Sequence, residues 1–228
     1  MPRPLVPDRR GRLLGAAREL FQEQGWPATT VSDIAVRAGV GKGAVYLEFS
    51  SKTGILDALV RESSRRMIAH VRDRVQGADG LVDLAQVYRY GVEALLDDQL
   101  MRALFLGDVD VLGEHMDEVP VGRYRERLDW LKEYALQLQR AGVIDSRIDV
   151  DHIVRMLTAF TIGLVRSPAV TGQTADEDLS AAVTLFADVV SRGLAVDRPA
   201  DVEAAREAQL LFLRRLDDQL IQLEEEDR

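Results

Sequence analysis

The chain has 228 residues, 46% of them hydrophobic and 29% charged, a balance that fits a soluble folded protein able to bury a core unaided by disulfides or metals. It contains no cysteine, which excludes a disulfide framework, a thiolate zinc site and a thiol redox switch. The net charge of −9 is unevenly spread: residues 1–75 hold 13 Lys and Arg against 8 Asp and Glu (+5), and residues 76–228 hold the other 16 against 30 (−14).

A basic first third on an acidic remainder suggests a nucleic-acid footprint at one end, although chance plus an acidic tail produces the same asymmetry. No apolar run approaches the roughly 20 residues of a membrane span. The first ten residues, MPRPLVPDRR, lack the apolar stretch of a signal peptide and read as a short basic arm. The expectation is a cytoplasmic protein without a membrane partner.

In chain order, nearly every segment shows helical spacing. Leu13, Ala17, Leu20 and Phe21 form one stripe, with Asp8 as N-cap and Gly25 as the stop. Thr30 then caps a short second helix, with Asp33 at the reciprocal position of a capping box. That helix runs to about Ala38, where Gly39 permits the left-handed turn that ends it. A third short helix runs from near Lys42 to about Phe49. Ser50 or Ser51 caps a long fourth helix carrying Ile55, Leu56, Leu59 and Val60.

Beyond Gly77 the helices lengthen. Leu81, Leu84, Ala85, Tyr88, Val92 and Leu95 mark one, and Leu100, Leu104 and Phe105 begin another that ends before Pro120. Tyr124, Leu128, Leu131, Ala135 and Leu138 mark a helix that stops at Gly142. Two strongly apolar helices follow, one through Ile153, Leu157, Phe160 and Leu164 and one through Leu179, Val183, Phe186, Val189 and Val190. Pro168 and Gly172 are expected in the break between them. From about Asp201, Leu213, Leu216, Leu220 and Leu223 form a short heptad-like stripe.

Residues 31–49 read as one unit: short helix, glycine-containing turn, short helix. This is the pattern of a helix-turn-helix, whose second helix presents its first residues to base edges in the major groove. Ile34 and Ala35 face its core, Ala38, Gly39 and Val40 are small where the helices approach, and Val45 and Phe49 anchor the second helix.

Residues 13–59, LLGAARELFQEQGWPATTVSDIAVRAGVGKGAVYLEFSSKTGILDAL, resemble the N-terminal domain of TetR-family regulators almost throughout. The carrying pieces are AARELF, GW-x-x-TT, VSDIAVRAGV, KGAVY, F-x-SK and ILDAL. The resemblance implies an all-α protein in which a DNA-binding domain, residues 1–52, precedes a helical ligand-binding and dimerisation domain, residues 53–228. It implies that Thr30, Tyr46 and Lys52 bind phosphate oxygens, and that Gly41, Lys42, Gly43 and Ala44 face the groove. There Lys42 would donate to guanine and Ala44 would meet a thymine methyl. Many members carry an aromatic or histidine near positions 47 and 48; here these are Leu47 and Glu48, the latter expected to be solvated or paired with a nearby Arg.

Past residue 76 the resemblance is one of layout. It implies a homodimer joined through the two apolar helices, with Ile153, Leu157, Phe160, Leu164, Val183, Phe186 and Val190 at the interface. Burial of both helices within one subunit is the alternative. A small-molecule effector pocket is expected between the middle helices, with Tyr88, Phe105, His115, Met116, Tyr124, Trp130, Tyr134 and Phe160 as candidate lining. The terminal leucine stripe either packs on this domain or adds to the dimer interface.

His70, His115 and His152 are scattered and lack partners at metal spacing, and no nucleophile elbow or phosphate-binding loop occurs. No metal, cofactor or catalytic residue is expected. The implied function is that of a dimeric, ligand-responsive repressor on a near-palindromic double-stranded DNA operator, hence nucleoid-associated. A helical enzyme or carrier that kept the fold, and a scaffold controlled by a protein partner, are the rival classes.

Overall fold

A computed structural model of the chain describes residues 8–106, 122–171, 176–196 and 200–225. These form ten helices: α1 (Arg9–Ala28), α2 (Val31–Arg37), α3 (Lys42–Glu48), α4 (Lys52–Gln76), α5 (Leu84–Leu96), α6 (Gln99–Leu106), α7 (Gly122–Arg140), α8 (Val150–Thr171), α9 (Asp176–Leu194) and α10 (Val202–Glu225). The fold is all-α, as the periodicity predicts; among the described residues β pairing is limited to one isolated antiparallel bridge, Ile144 with Ala195. The helices divide into two compact units, one drawn from residues 1–63 and 99–119 and the other from 64–98 and 120–228.

In the first unit, α1 buries Leu13, Leu14, Ala16, Ala17, Leu20 and Phe21 on one face. Asp8 caps it, accepting from the Gly11 N–H at 3.2 Å. Gly25, at φ 76, breaks the helix as its composition predicts, but a further turn forms around the fully buried Trp26 before the chain leaves at Ala28. Thr29, also fully buried, fixes that exit by donating its hydroxyl to the Gly25 carbonyl at 2.8 Å. Ser51, not Ser50, caps α4 through the Gly54 N–H at 3.0 Å. The start of α4 belongs to this unit because Ile55, Leu56 and Leu59 are buried and Arg18 of α1 bonds Glu62 and Ser63 at 3.0 and 3.1 Å.

The second unit is a helical bundle in which α9 packs along α5, α10 along α7, and α8 against both α5 and α7. Asp83 caps α5 by accepting from the Gln86 N–H at 2.8 Å, and the same carboxylate accepts from the Ser191 hydroxyl of α9. Gly142, at φ 74, ends α7; the Val143 N–H closes on the Leu138 carbonyl at 2.9 Å. The terminal stripe packs inward: Ala205, Ala208, Phe212, Leu213, Leu216 and Leu223 join the core of this unit. Pro168 does not break the chain as expected, since α8 continues to Thr171. A proline three residues from a helix end removes a single ladder bond.

Candidate nucleic-acid interface

Thr30 caps α2 by accepting from the Asp33 N–H at 3.1 Å, and Asp33 reaches back to the Thr30 N–H at 3.0 Å and its hydroxyl at 2.7 Å. These bonds hold the Asp33 carboxyl below its ordinary value. At the other end of α2, Gly39 takes φ 68, the Gly39 N–H meets the Val36 carbonyl at 3.0 Å and the Val40 N–H meets the Ala35 carbonyl at 2.9 Å. This paired closure requires a left-handed residue, which glycine supplies without strain. Arg12 of α1 donates to the Ala38 carbonyl in the same turn.

From this turn α3 starts at Gly41, which brings no side-chain cap. Val45 and Phe49 turn inward and are buried, while Lys42, Gly43, Tyr46 and Leu47 are exposed on the opposite side, with Ala44 between. Positions 42, 43, 46 and 47 lie one helical turn apart, so the outward face carries an ammonium, a bare backbone, a phenol and an isobutyl group. A Cβ added at Gly43 would meet no atom of the chain within 4 Å, so the subunit itself imposes no need for glycine there. Gly41, Lys42, Gly43, Ala44 and Tyr46 are thus grouped on or beside one solvent-facing surface, and Thr30 is exposed at the start of α2.

Lys52 is placed differently from a free phosphate ligand. Its ammonium donates to the Trp26 carbonyl at 2.7 Å and lies 5.0 Å from the centroid of the Trp26 ring. Partial burial pushes it below the ordinary lysine value.

Several features of this head were not legible in the motif. Arg9 and Arg10, read as part of a basic arm, lie in the first turn of α1. Arg9 bonds the Glu48 carboxylate, with Nε at 2.7 Å, and the Arg10 guanidinium lies 4.6 Å from the centroid of Phe49. Glu48 is thus paired with an arginine, one of the two outcomes expected. Arg37 forks onto Glu23 at 2.7 and 2.8 Å and reaches Glu19 at 3.1 Å, tying α2 to α1; both acids raise its pKa. These contacts join residues far apart in sequence, and no local spacing announces them.

Of the aromatic candidates, Tyr88, Trp130, Tyr134 and Phe160 lie in the second unit. The Tyr88 hydroxyl donates to the Leu157 carbonyl at 3.0 Å and pairs with the Thr161 hydroxyl, and burial pushes its pKa up to about 12. The Tyr134 hydroxyl donates to the Val82 carbonyl at 2.6 Å, its ring stacks on Phe212 at 4.9 Å, and burial raises its pKa. Phe160 of α8 stacks on Phe186 of α9 at 3.6 Å, and Trp130 packs against the core. Phe105 lies on α6, in the first unit. His115 and Met116, and the side chain of Tyr124, lie outside the described residues.

Of the residues expected at a dimer interface, Ile153, Leu157, Leu164, Val183 and Val190 are buried in the chain's own core, and Phe160 and Phe186 cover one another beside it. Among the described side chains, the large exposed apolar ones of the same helices are Met156 and Ile162 on α8 and Leu185 and Val189 on α9. Both sides of these helices are apolar, which leaves periodicity without a preferred direction.

Among the described residues no His, Cys, Asp and Glu side chains cluster to hold a metal ion, and no helix is long and apolar enough to cross a membrane.

A capped short helix, a left-handed glycine turn and a second short helix with an outward polar face define a helix-turn-helix head, here on a chain that continues into a helical bundle. Residues 13–59 match the family described as bacterial regulatory proteins, tetR family. The chain is 31% identical over 161 residues to the HTH-type transcriptional repressor KstR2 of Rhodococcus jostii (strain RHA1), covering 65% of this chain and 74% of that protein. It is 40% identical over 91 residues to KstR2 of Mycobacterium tuberculosis (strain CDC 1551 / Oshkosh), covering 40% of this chain and 46% of that protein, just under half the relative's length. The fold is similar to that of the regulator FadR from Bacillus subtilis, solved in complex with stearoyl-CoA, with TM-score 0.62, 20% identity and coverage of 81% and 99% of the two chains. The chain belongs to the TetR family of bacterial transcriptional regulators.

Proposed function

We propose that this protein is a ligand-responsive repressor that binds a near-palindromic operator as a dimer, with residues 1–52 reading DNA and residues 53–228 binding the effector and the second copy. The observation that carries the proposal is the outward face of α3, where Lys42, Gly43, Tyr46 and Leu47 are presented to solvent while Val45 and Phe49 hold the helix from below. Lys42 at the helix start donates to a base edge, Gly43 lets the backbone come close, and Tyr46 donates to a phosphate oxygen. Lys52 supports the head through the Trp26 carbonyl and keeps its remaining N–H groups for phosphate.

Dimerisation uses the exposed side of α8 and α9. Met156 and Ile162 are 42% and 43% exposed, and Leu185 and Val189 are 66% and 60% exposed. Four large apolar groups on two helices of one bundle favour a second copy of the same surface. Two heads then meet successive major grooves roughly 34 Å apart. The effector is a small molecule held in the helical unit; a regulator of the same fold, solved with stearoyl-CoA, gives precedent for an extended ligand. The protein works in the cytoplasm, at the nucleoid.

The test compares two substitutions on specific and random duplex DNA. Lys42→Ala is expected to lose preference for the specific site, by about 1–3 kcal/mol of discrimination if the lysine reads a base. Tyr46→Phe is expected to weaken all sequences alike. Equal losses on both DNAs from Lys42→Ala, or a loss at a single base position from Tyr46→Phe, contradict these assignments.

A further inference from the structure

We propose that Arg9 and Glu48 are a positioning pair: the arginine holds the C-terminal end of α3 and masks an acidic charge beside the face offered to DNA. This rests on the DNA-binding reading above. The helix has seven residues, one buried side chain within its length, Val45, and no side-chain cap at Gly41. So short a helix has little intrinsic stability and takes its orientation from its tertiary contacts.

At its C-terminal end those contacts come from the first turn of α1. Arg9 bonds the Glu48 carboxylate through both Nε, at 2.7 Å, and Nη2. Arg10 reaches the Glu48 carbonyl at 3.4 Å and covers the Phe49 ring. Arg12, two residues further along α1, holds the Ala38 carbonyl at the turn that feeds α3. One short stretch of α1 therefore grips the segment on both sides of the recognition helix.

Charge adds a second role. Glu48 follows Tyr46 and Leu47 directly, at the flank of the outward face. Charges closer than about 10 Å are only partly screened at ordinary ionic strength, so a bare carboxylate here repels the phosphates that this face approaches. The Arg9 and Glu48 side chains are 24% and 22% exposed, so their pairing is less screened than that of a fully solvated pair. The paired groups present no net charge, and the ammonium of Lys42 then sets the sign of the face.

Wild type, Arg9→Ala, Arg9→Lys, Glu48→Gln and the double variant Arg9→Ala/Glu48→Gln, all in the full chain, are titrated at two salt concentrations. The probes are random duplex and a duplex selected by the wild type from a random library. Arg9→Ala is expected to weaken both DNAs about fivefold, the size of a modest charge interaction. Arg9→Lys keeps most of the affinity, and the double variant recovers part of the loss, the part due to the bare carboxylate, while the remainder reads the hold on α3. That recovery separates masking from folding, because the double variant lacks the ion pair as completely as Arg9→Ala.

Binding by Arg9→Ala indistinguishable from wild type overturns the inference. So does a double variant no better than Arg9→Ala, which leaves the Glu48 charge without effect and removes the masking role. A preference changed by Glu48→Gln at one base position also overturns it and makes Glu48 a base reader. A wild type that selects no sequence from the library defeats the DNA reading itself, and the inference with it.

Discussion

At the scale of single residues, Lys52 and Tyr46 separate two ways in which a side chain serves a binding head. Tyr46 is 51% exposed and its removal disturbs no described contact of the fold. Lys52 is partly buried and holds the carbonyl of the fully buried Trp26. Lys52→Ala should therefore lower the unfolding free energy by about 1 kcal/mol, because the carbonyl loses a charged donor. Tyr46→Phe should leave the urea midpoint where it is. Chemical denaturation of the two variants checks this; equal midpoints would place Lys52 outside the support of the head. The motif gave the identity of Lys52 but not this role, since its partner lies 26 residues away in sequence.

Among the elements, α2 is the one whose construction is most local, and it was the most legible. Thr30, Asp33 and Gly39 specify its start and stop within ten residues, and the structure realises each of them. The Asp33 carboxyl is held below its ordinary value of 3.8 by its bonds to Thr30, so it contributes stability above that pH. That contribution is lost as pH falls below the ordinary aspartate value toward the lowered one. Thr30→Ala removes the cap and is expected to cost about 1 kcal/mol and to flatten this acid dependence. Urea titrations across the acidic range test it, and an acid limb as steep in Thr30→Ala as in wild type would contradict it.

The long apolar helices were legible as elements but not in their direction. Ile153 and Leu157 face inward on α8 while Met156 and Ile162 face outward, so large apolar groups lie on both sides of the helix. Only the position of α5 and α7 selects between them. The terminal leucine stripe had the same ambiguity, and its packing along α7 resolves it.

For the molecule as a whole, the asymmetry of charge and the division of labour run together. The first 75 residues carry +5 and the rest −14, so any DNA approach is steered toward the head. On the proposed function, the exposed apolar groups of α8 and α9 meet a second copy of the chain. Leu185→Glu, on a side chain 66% exposed, should leave the chain folded and convert a dimer to a monomer in sedimentation velocity. An unchanged sedimentation coefficient would place the interface elsewhere. Operator binding should weaken with the dimer, because each head alone makes few contacts.

If the outward face of α3 reads DNA, the chain binds a specific duplex through it. The most direct measurement is fluorescence anisotropy of the purified chain on the DNA flanking its own gene and on fragments recovered by genome-wide pull-down, with random competitor at two salt concentrations. Salt-sensitive binding that resists competitor is expected, with two subunits or a multiple of two per site. Binding to every recovered fragment that is no tighter than to random duplex would contradict it.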